Sequence, residues 1–330
     1  MPEIIHDVVG IGNAIVDIIG RCKEEFLVKH GAPKGRMRLV EAETVSKLYD
    51  DMGPGIEISG GSVANTMVGI ASFGGKAAFI GKVADDEFGR IFAHDIRAAG
   101  VVFNTKAAQG KTPTARSLIL VTPDGERTMN TFLGVSPELA RSEVDADLIS
   151  SARIVYLEGY LFDRPEAKAA FRQAADIAEK SGRQVALTLS DPFCVDRHRS
   201  EFLELIRSRV DILFANEAEI TSLYQTESFE EAARLARNVT KLAVLTRSAK
   251  GSVIFSGHKA TTIAADRVKN VVDTTGAGDL FAAGFLYGLS LGKSIETCGR
   301  LGSLAAAEII SHIGARPETA LAKLAAARGL

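Results

Sequence analysis

Short apolar runs recur along this chain, at residues 8–12, 77–81, 154–157, 185–189, 212–215 and 242–246, and longer stretches separate them. Runs of four or five apolar residues are too short for buried helices. They are apolar on both sides of the pleat, so they read as strands buried on both faces. Residues 64–73, 166–181 and 199–207 carry helical periodicity between them. Buried strands alternating with amphipathic helices imply an α/β fold, a mostly parallel sheet with helices on both faces.

Two regions break the rhythm. Residues 31–59 are rich in Gly, Pro and charge. Residues 110–133 alternate in their middle, with Ala115, Ser117, Ile119 and Val121 on one side and Arg116, Leu118 and Leu120 on the other. Thr122-Pro123-Asp124-Gly125-Glu126 is a hairpin turn signal. These segments predict a small antiparallel sheet projecting from the main body.

Asp273-Thr274-Thr275-Gly276-Ala277-Gly278-Asp279 carries the strongest chemical signal. Leu280, Ala283, Phe285 and Leu286 follow at helical spacing, so a helix should start near residue 277. A helix start has free N–H groups and a partial positive charge. Gly276 and Gly278 let a ligand approach the backbone, and Asp279 sets a carboxylate beside the resulting anion cradle. Such a constellation suits phosphoryl transfer: the cradle stabilises charge on the phosphates and Asp279 takes the proton of an attacking hydroxyl. A turn capped by an aspartate is the plainer reading of the tetrapeptide alone.

Other segments are open to two readings. Asn13 and Asp17 follow the first strand, where an amide and a carboxylate can grip vicinal hydroxyls or simply line a turn. Gly10-Ile11-Gly12 lacks the third glycine of a dinucleotide-binding loop, which disfavours a dehydrogenase. Gly60-Gly61-Ser62-Val63-Ala64-Asn65 permits close backbone approach before a helix, with Ser62 as a candidate N-cap. Glu158 ends a strand, facing either a ligand crevice or solvent. Asn216 and Glu219 lie one helical turn apart, suited to a hydrated Mg²⁺ or to capping the helix.

A net charge of -2 and a pI near 6.3 give no support for a nucleic-acid or membrane-surface partner. No apolar stretch is long enough for a transmembrane helix, and Met1–Asp7 lacks the basic-then-apolar order of a secretory signal. Cys22, Cys194 and Cys298 are odd in number and widely spaced, which fits reduced thiols in a cytoplasmic setting.

The block Asp273–Asp279 with its Phe281-x-x-Gly284-Phe285 helix closely resembles the C-terminal signature of the ribokinase family, the PfkB-type carbohydrate and nucleoside kinases. Gly12 and Asp17, the Gly60–Asn65 block, Phe73-Gly74-Gly75 and residues 81–89 resemble its N-terminal signature. The likeness covers nearly the whole chain. It implies one ribokinase-like unit over residues 1–330, with a lid over the substrate formed by segments near 13–20, 31–59 and 110–133. It also implies ATP and Mg²⁺ as cofactors.

By that resemblance Asp279 is the general base and Gly276, Ala277 and Gly278 form the anion hole. Asn13, Asp17, Gly61, Ser62, Asn65 and Glu158 line the acceptor. A nucleobase needs an apolar or aromatic slot, for which Phe132, Tyr160 and Phe162 are candidates. Asn216, Thr246, Ser248, Gly251, Ala306 and Ile309 belong to the nucleotide side, with Ser248 where the family usually has glycine. Asn216 and Glu219 would hold Mg²⁺ through water. Asp273 and Thr275 match positions that bind a monovalent cation in some members, which implies K⁺ stimulation.

Leu189-Ser190-Asp191-Pro192-Phe193 resembles a segment of the adenosine kinase branch, so adenosine is the expected acceptor. A sugar such as ribose, fructose or 2-keto-3-deoxygluconate is the second choice. A catalytically silent binding protein is a third, disfavoured by the retention of Asp279, Gly276, Gly278, Asn216 and Glu219 together. A monomer and a homodimer are equally compatible with the sequence.

Overall fold

The computed structural model describes residues 3–330; Met1 and Pro2, where the N-terminal segment read above begins, lie outside the described residues. In chain order the strands are β1 (His6–Ile11), β2 (Ile15–Arg21), β3 (Met37–Leu39), β4 (Gly55–Gly60), β5 (Ala77–Ile80), β6 (Val102–Phe103) and β7 (Ala115–Val121). They continue as β8 (Arg127–Phe132), β9 (Ala152–Glu158), β10 (Gln184–Thr188), β11 (Ile212–Asn216), β12 (Leu242–Thr246), β13 (Ser252–Ser256) and β14 (Lys259–Ile263).

The main sheet has nine strands in the order β14-β13-β12-β11-β10-β9-β1-β5-β6. All neighbours pair in parallel except at one edge, where β13 is antiparallel to β12 and β14 to β13. Every apolar run expected to be a strand is one. Strand alternation divides their side chains between two cores. Val8, Ile154, Tyr156, Ile212, Phe214 and Val244 pack toward the helices Ser62–Ser72, Ala277–Ser290 and Ile295–Ile309. Val9, Val155, Leu157, Val185, Leu187, Leu213 and Leu245 pack on the other face toward Pro165–Lys180 and Pro192–Arg209. The latter helix kinks at His198, whose φ/ψ are not helical, so its second half starts where the 199–207 periodicity places it.

The second sheet runs β3-β8-β7-β2-β4. It contains the antiparallel pairs β2–β4 and β7–β8; the parallel pairing β2–β7 joins these two pairs at the centre, and β3 adds in parallel to β8 at one edge. The expectation of a purely β insert missed one element: residues 31–59 also contain the helix Ala42–Asp51. Its Val45 and Leu48 join Leu118 and Leu120 in one buried cluster. The helix thus covers the Leu118 and Leu120 face of β7, a strand that is buried along its whole length.

Consecutive connections leave β1 in opposite directions, toward β5 on one side and toward β9 on the other. Ligands of open α/β sheets bind in the crevice at the carboxyl ends of strands at such a switch point. Here that crevice lies beside Asn13 and Glu158, and β2 of the small sheet emerges directly from it.

Candidate active site

The helix Ala277–Ser290 opens at the end of this crevice with Gly276 in the left-handed region, φ 76°. A Cβ there would lie 2.9 Å from that of Ala315, so glycine satisfies both the turn and the packing. Gly278 is exposed, and its N–H belongs to the first helical turn, which has no intrahelical acceptors to offer. Asp279 is held from across the crevice by the helix Ser62–Ser72. Ser62 Oγ donates to Asp279 Oδ1 at 2.6 Å and Asn65 Nδ2 to Oδ2 at 3.0 Å. Thr66 Oγ1 donates to the Asp279 carbonyl at 3.1 Å. Burial pushes the Asp279 carboxyl up to about 6, while the Ser62 and Asn65 hydrogen bonds pull it back. The group is therefore ionised at neutral pH with a basicity suited to proton abstraction.

Asp17, on β2, is 9% exposed, and burial pushes it up to about 7 against the pull of Arg316 and Arg127. Its carboxylate lies over Gly60, where a Cβ would collide with it. Gly61 adopts φ 104°, and a Cβ there would strike the Asn13 carbonyl. The paired glycines therefore let β4 turn into the helix beneath Asp17. Asn65 is nearly buried, and its Oδ1 has no protein partner. A buried acceptor left open costs free energy unless a ligand donates to it.

Glu158 is buried, not at the surface. Its Oε1 accepts from Asn13 N at 3.2 Å and Asn13 Nδ2 at 2.8 Å, and its Oε2 from Val63 N at 2.9 Å. Asn13 Oδ1 in turn accepts from Ser136 Oγ at 2.9 Å. Asn13 and Glu158 thus brace the crevice from behind, and the polar atoms expected to reach an acceptor are engaged with each other. Burial pushes Glu158 up to about 7.

The aromatic candidates separate. Tyr160 follows the carboxyl end of β9 and packs partly buried against the apolar core, where its N–H donates to Ser190 Oγ and its hydroxyl to the Ser190 carbonyl, both at 3.3 Å. Ser190 itself has φ 73°, a strained value for serine. Phe132 follows Thr131, whose hydroxyl meets Ser117 in register with Asp17. One residue on, Phe132 projects from the opposite face and packs against the apolar core, so it does not belong with Asp17. Phe162 stacks on Phe202 in the core, with ring centroids 4.4 Å apart. Phe193, the last residue of the Leu189–Phe193 segment, is 75% exposed at the start of the helix after Ser190.

On the nucleotide side Asn216 and Thr246 are register neighbours on β11 and β12. Asn216 and Glu219 form a reciprocal cap: Glu219 N donates to Asn216 Oδ1 at 2.9 Å, Asn216 N to Glu219 Oε2 at 3.0 Å, and Asn216 Nδ2 to Glu219 Oε1 at 2.6 Å. Each carboxylate oxygen keeps one lone pair, which can accept a hydrogen bond from the water shell of a Mg²⁺ ion. Burial pushes Glu219 up to about 7. Ser248 sits at φ 51° in the turn that Gly251 closes. Arg247 makes a two-pronged pair with Glu217, at 2.8 and 3.2 Å, and stacks 3.8 Å over the Phe229 ring. Ala306 is partly exposed, but Ile309 is fully buried and lies against the Gly276 turn, which removes it from the adenine side.

Two arginines were missed because nothing local in the sequence marks them. Arg316 donates to the Ser59 carbonyl, to Ser59 Oγ at 2.8 Å and to the Ala64 carbonyl at 3.2 Å. Burial lowers it to about 10, well within the charged range at neutral pH. Arg127, on β8, reaches across to the Asp273–Asp279 turn, pairing with Asp273 and donating to Thr275 Oγ1 at 2.6 Å.

The sequence matches the pfkB family carbohydrate kinase profile over residues 57–320. The chain belongs to the PfkB family. It is therefore an ATP-dependent kinase acting on an alcohol group of a small nucleoside or sugar. An uncharacterized sugar kinase of Archaeoglobus fulgidus is 32% identical over 250 residues, covering 76% of this PfkB kinase and 97% of the relative. Among solved structures, adenosine kinase from Sinorhizobium meliloti superposes with a TM-score of 0.91 at 53% identity, over 98% of this chain and 99% of that one. A probable sugar kinase from Rhizobium etli CFN 42 gives 0.91 at 52% identity over 98% of both chains. No helix among the described residues is long and apolar enough to cross a membrane.

Proposed function

We propose that this PfkB kinase transfers the terminal phosphoryl group of ATP to the 5′-hydroxyl of a nucleoside, with adenosine the preferred acceptor. The observation that carries this reading is the likeness to the Sinorhizobium meliloti adenosine kinase, 53% identical along almost the full length of both chains. The placement of Tyr160 against Ser190 supports it, because an aromatic side chain beside the crevice offers a flat apolar wall to a base.

In this mechanism Asp17 and the open Asn65 Oδ1 accept hydrogen bonds from the ribose hydroxyls. The 5′-hydroxyl then faces Asp279, which takes its proton as the oxygen attacks phosphorus. The N–H of Gly278 and the positive end of the helix Ala277–Ser290 stabilise charge on the transferred group. Asn216 and Glu219 would hold a hydrated Mg²⁺ through water, and that ion would supply positive charge to the ATP oxygens. The turn around Ser248 and Gly251, with Thr246 and Ala306, borders the nucleotide.

The second reading is a sugar kinase, favoured by the names of the Rhizobium etli and Archaeoglobus fulgidus proteins. The decisive experiment is ADP release with Mg-ATP and adenosine, guanosine, cytidine, ribose, fructose or 2-keto-3-deoxygluconate, with Asp279→Asn as control. The expected result is a kcat/KM for adenosine at least tenfold above every other acceptor, abolished in the control. A higher kcat/KM for a free sugar overturns the nucleoside assignment and selects the second reading.

A further inference from the structure

The likeness to the ribokinase family implies a monovalent cation at Asp273 and Thr275, but the side chains here do not leave those groups free. Asp273 is 5% exposed, and both of its carboxylate oxygens already have protein partners. Oδ1 accepts from Thr275 N at 2.9 Å and Oδ2 from Gly314 N at 2.9 Å, and Arg127 completes an ion pair with it. The same Arg127 Nη1 donates to the Thr275 hydroxyl. One guanidinium therefore contacts the side chains of both residues at which the resemblance places K⁺. A second cation there would meet a like charge at contact distance.

Arg127 is itself an unusual placement. Its side chain is 10% exposed, and its Nε and Nη2 are buried without a protein partner. Burying a charged group incompletely paired is costly and calls for a compensating role. It stands on β8 of the small sheet, whereas Asp273 lies in the loop between β14 and the helix Ala277–Ser290.

We propose that Arg127 is this kinase's built-in monovalent cation: its guanidinium takes the place of K⁺ at Asp273 and Thr275 and holds the phosphate-binding turn in its working shape. It is a positioning residue, acting on the turn through Asp273 and Thr275. The positive charge comes from the small sheet, which also carries Asp17, so the acceptor side and the phosphate side share one rigid support. The inference rests on membership of the kinase family and not on the identity of the acceptor.

The test compares wild type, Arg127→Ala, Arg127→Met and Arg127→Lys in chloride salts of K⁺ and tetramethylammonium at equal ionic strength. One readout is the rise in Tm produced by Mg-ADP, which needs no acceptor; the other is turnover with the best acceptor found. Wild type is expected to give the same Tm rise and the same kcat in both salts, within twofold. Arg127→Ala and Arg127→Met are expected to lose at least tenfold in kcat without K⁺. K⁺ or millimolar guanidinium should restore a substantial part, and Arg127→Lys should retain more activity than either. A wild type stimulated severalfold by K⁺ would overturn the proposal. So would folded Ala and Met variants that respond to neither cation. If no acceptor is phosphorylated, the Mg-ADP readout still decides the question.

Discussion

Asn65 turns its amide nitrogen to Asp279, 3.0 Å away, and leaves its buried carbonyl oxygen without a partner. One side chain thus orients the proposed base and offers an acceptor to whatever enters the crevice. Ser62 holds the other oxygen of the same carboxylate. The base is fixed from the substrate side of the crevice, so its basicity depends on residues far away in sequence.

That dependence can be measured. The ascending limb of kcat/KM against pH should lie near pH 6, the value to which burial raises Asp279. Ser62→Ala removes a hydrogen bond that favours the ionised form and should move the limb upward by roughly one pH unit, equivalent to about 1.4 kcal/mol. Asp279→Asn should lower kcat by roughly a hundredfold or more through loss of a general base, with an unchanged circular dichroism spectrum. A Ser62→Ala limb that stays in place would separate the measured ionisation from Asp279.

Stability should carry a second signature. Asp17 holds its proton in the native state up to about 7, whereas its ordinary value is 3.8. Between those values the folded protein binds more protons than the unfolded chain, so this group's contribution is fully present below about pH 4 and is lost as pH rises toward 7. Asp17→Asn cannot ionise and escapes that loss. Urea denaturation at several pH values should show the variant gaining on wild type between pH 4 and 7. A difference that does not vary with pH would contradict the burial assigned to Asp17.

Arg247 links the turn at Ser248–Gly251 to the helix that carries Glu219, through Glu217, and to the next helix, Phe229–Arg237, through the face of Phe229. Arg247→Ala should raise the KM for ATP severalfold while the acceptor KM stays within twofold. Because the pair is partly exposed, the stability cost should be only about 1 kcal/mol. An equal rise in both KM values would mean general damage to the fold.

Ser248 occupies a left-handed conformation at φ 51°, which costs an L-residue about 1 kcal/mol and costs glycine almost nothing. Ser248→Gly should therefore raise Tm by a few degrees without raising the KM for ATP. A lower Tm would show that the serine hydroxyl contributes more than its backbone strain removes.

The backbone plan was legible because it depends on local pattern. Apolar runs of strand length and the Gly276–Asp279 turn fold as their periodicity and turn chemistry dictate. The helix Ala42–Asp51 was not, because the Gly, Pro and charge around it hid a short amphipathic stretch. The site was legible only in part. Asp279, Ser62 and Asn65 converge as their motifs imply, whereas Asn13, Glu158 and Ile309 face inward for reasons of packing that no motif records. Arg127 and Arg316 were invisible, because their partners lie on other elements and only the fold brings them together.

Arg316 anchors Ser59 and Ala64 across more than 250 positions of chain, with sequence separations of 257 and 252. Contacts so distant form late, because the loop between them must close before they can. On a chain emerging from the ribosome, the large sheet has its strands long before residue 316 is made. The Ser59–Ala64 segment therefore lacks its Arg316 anchor until late in synthesis, and a nascent chain stopped short of that residue would carry the full Asp273–Asp279 signature without it.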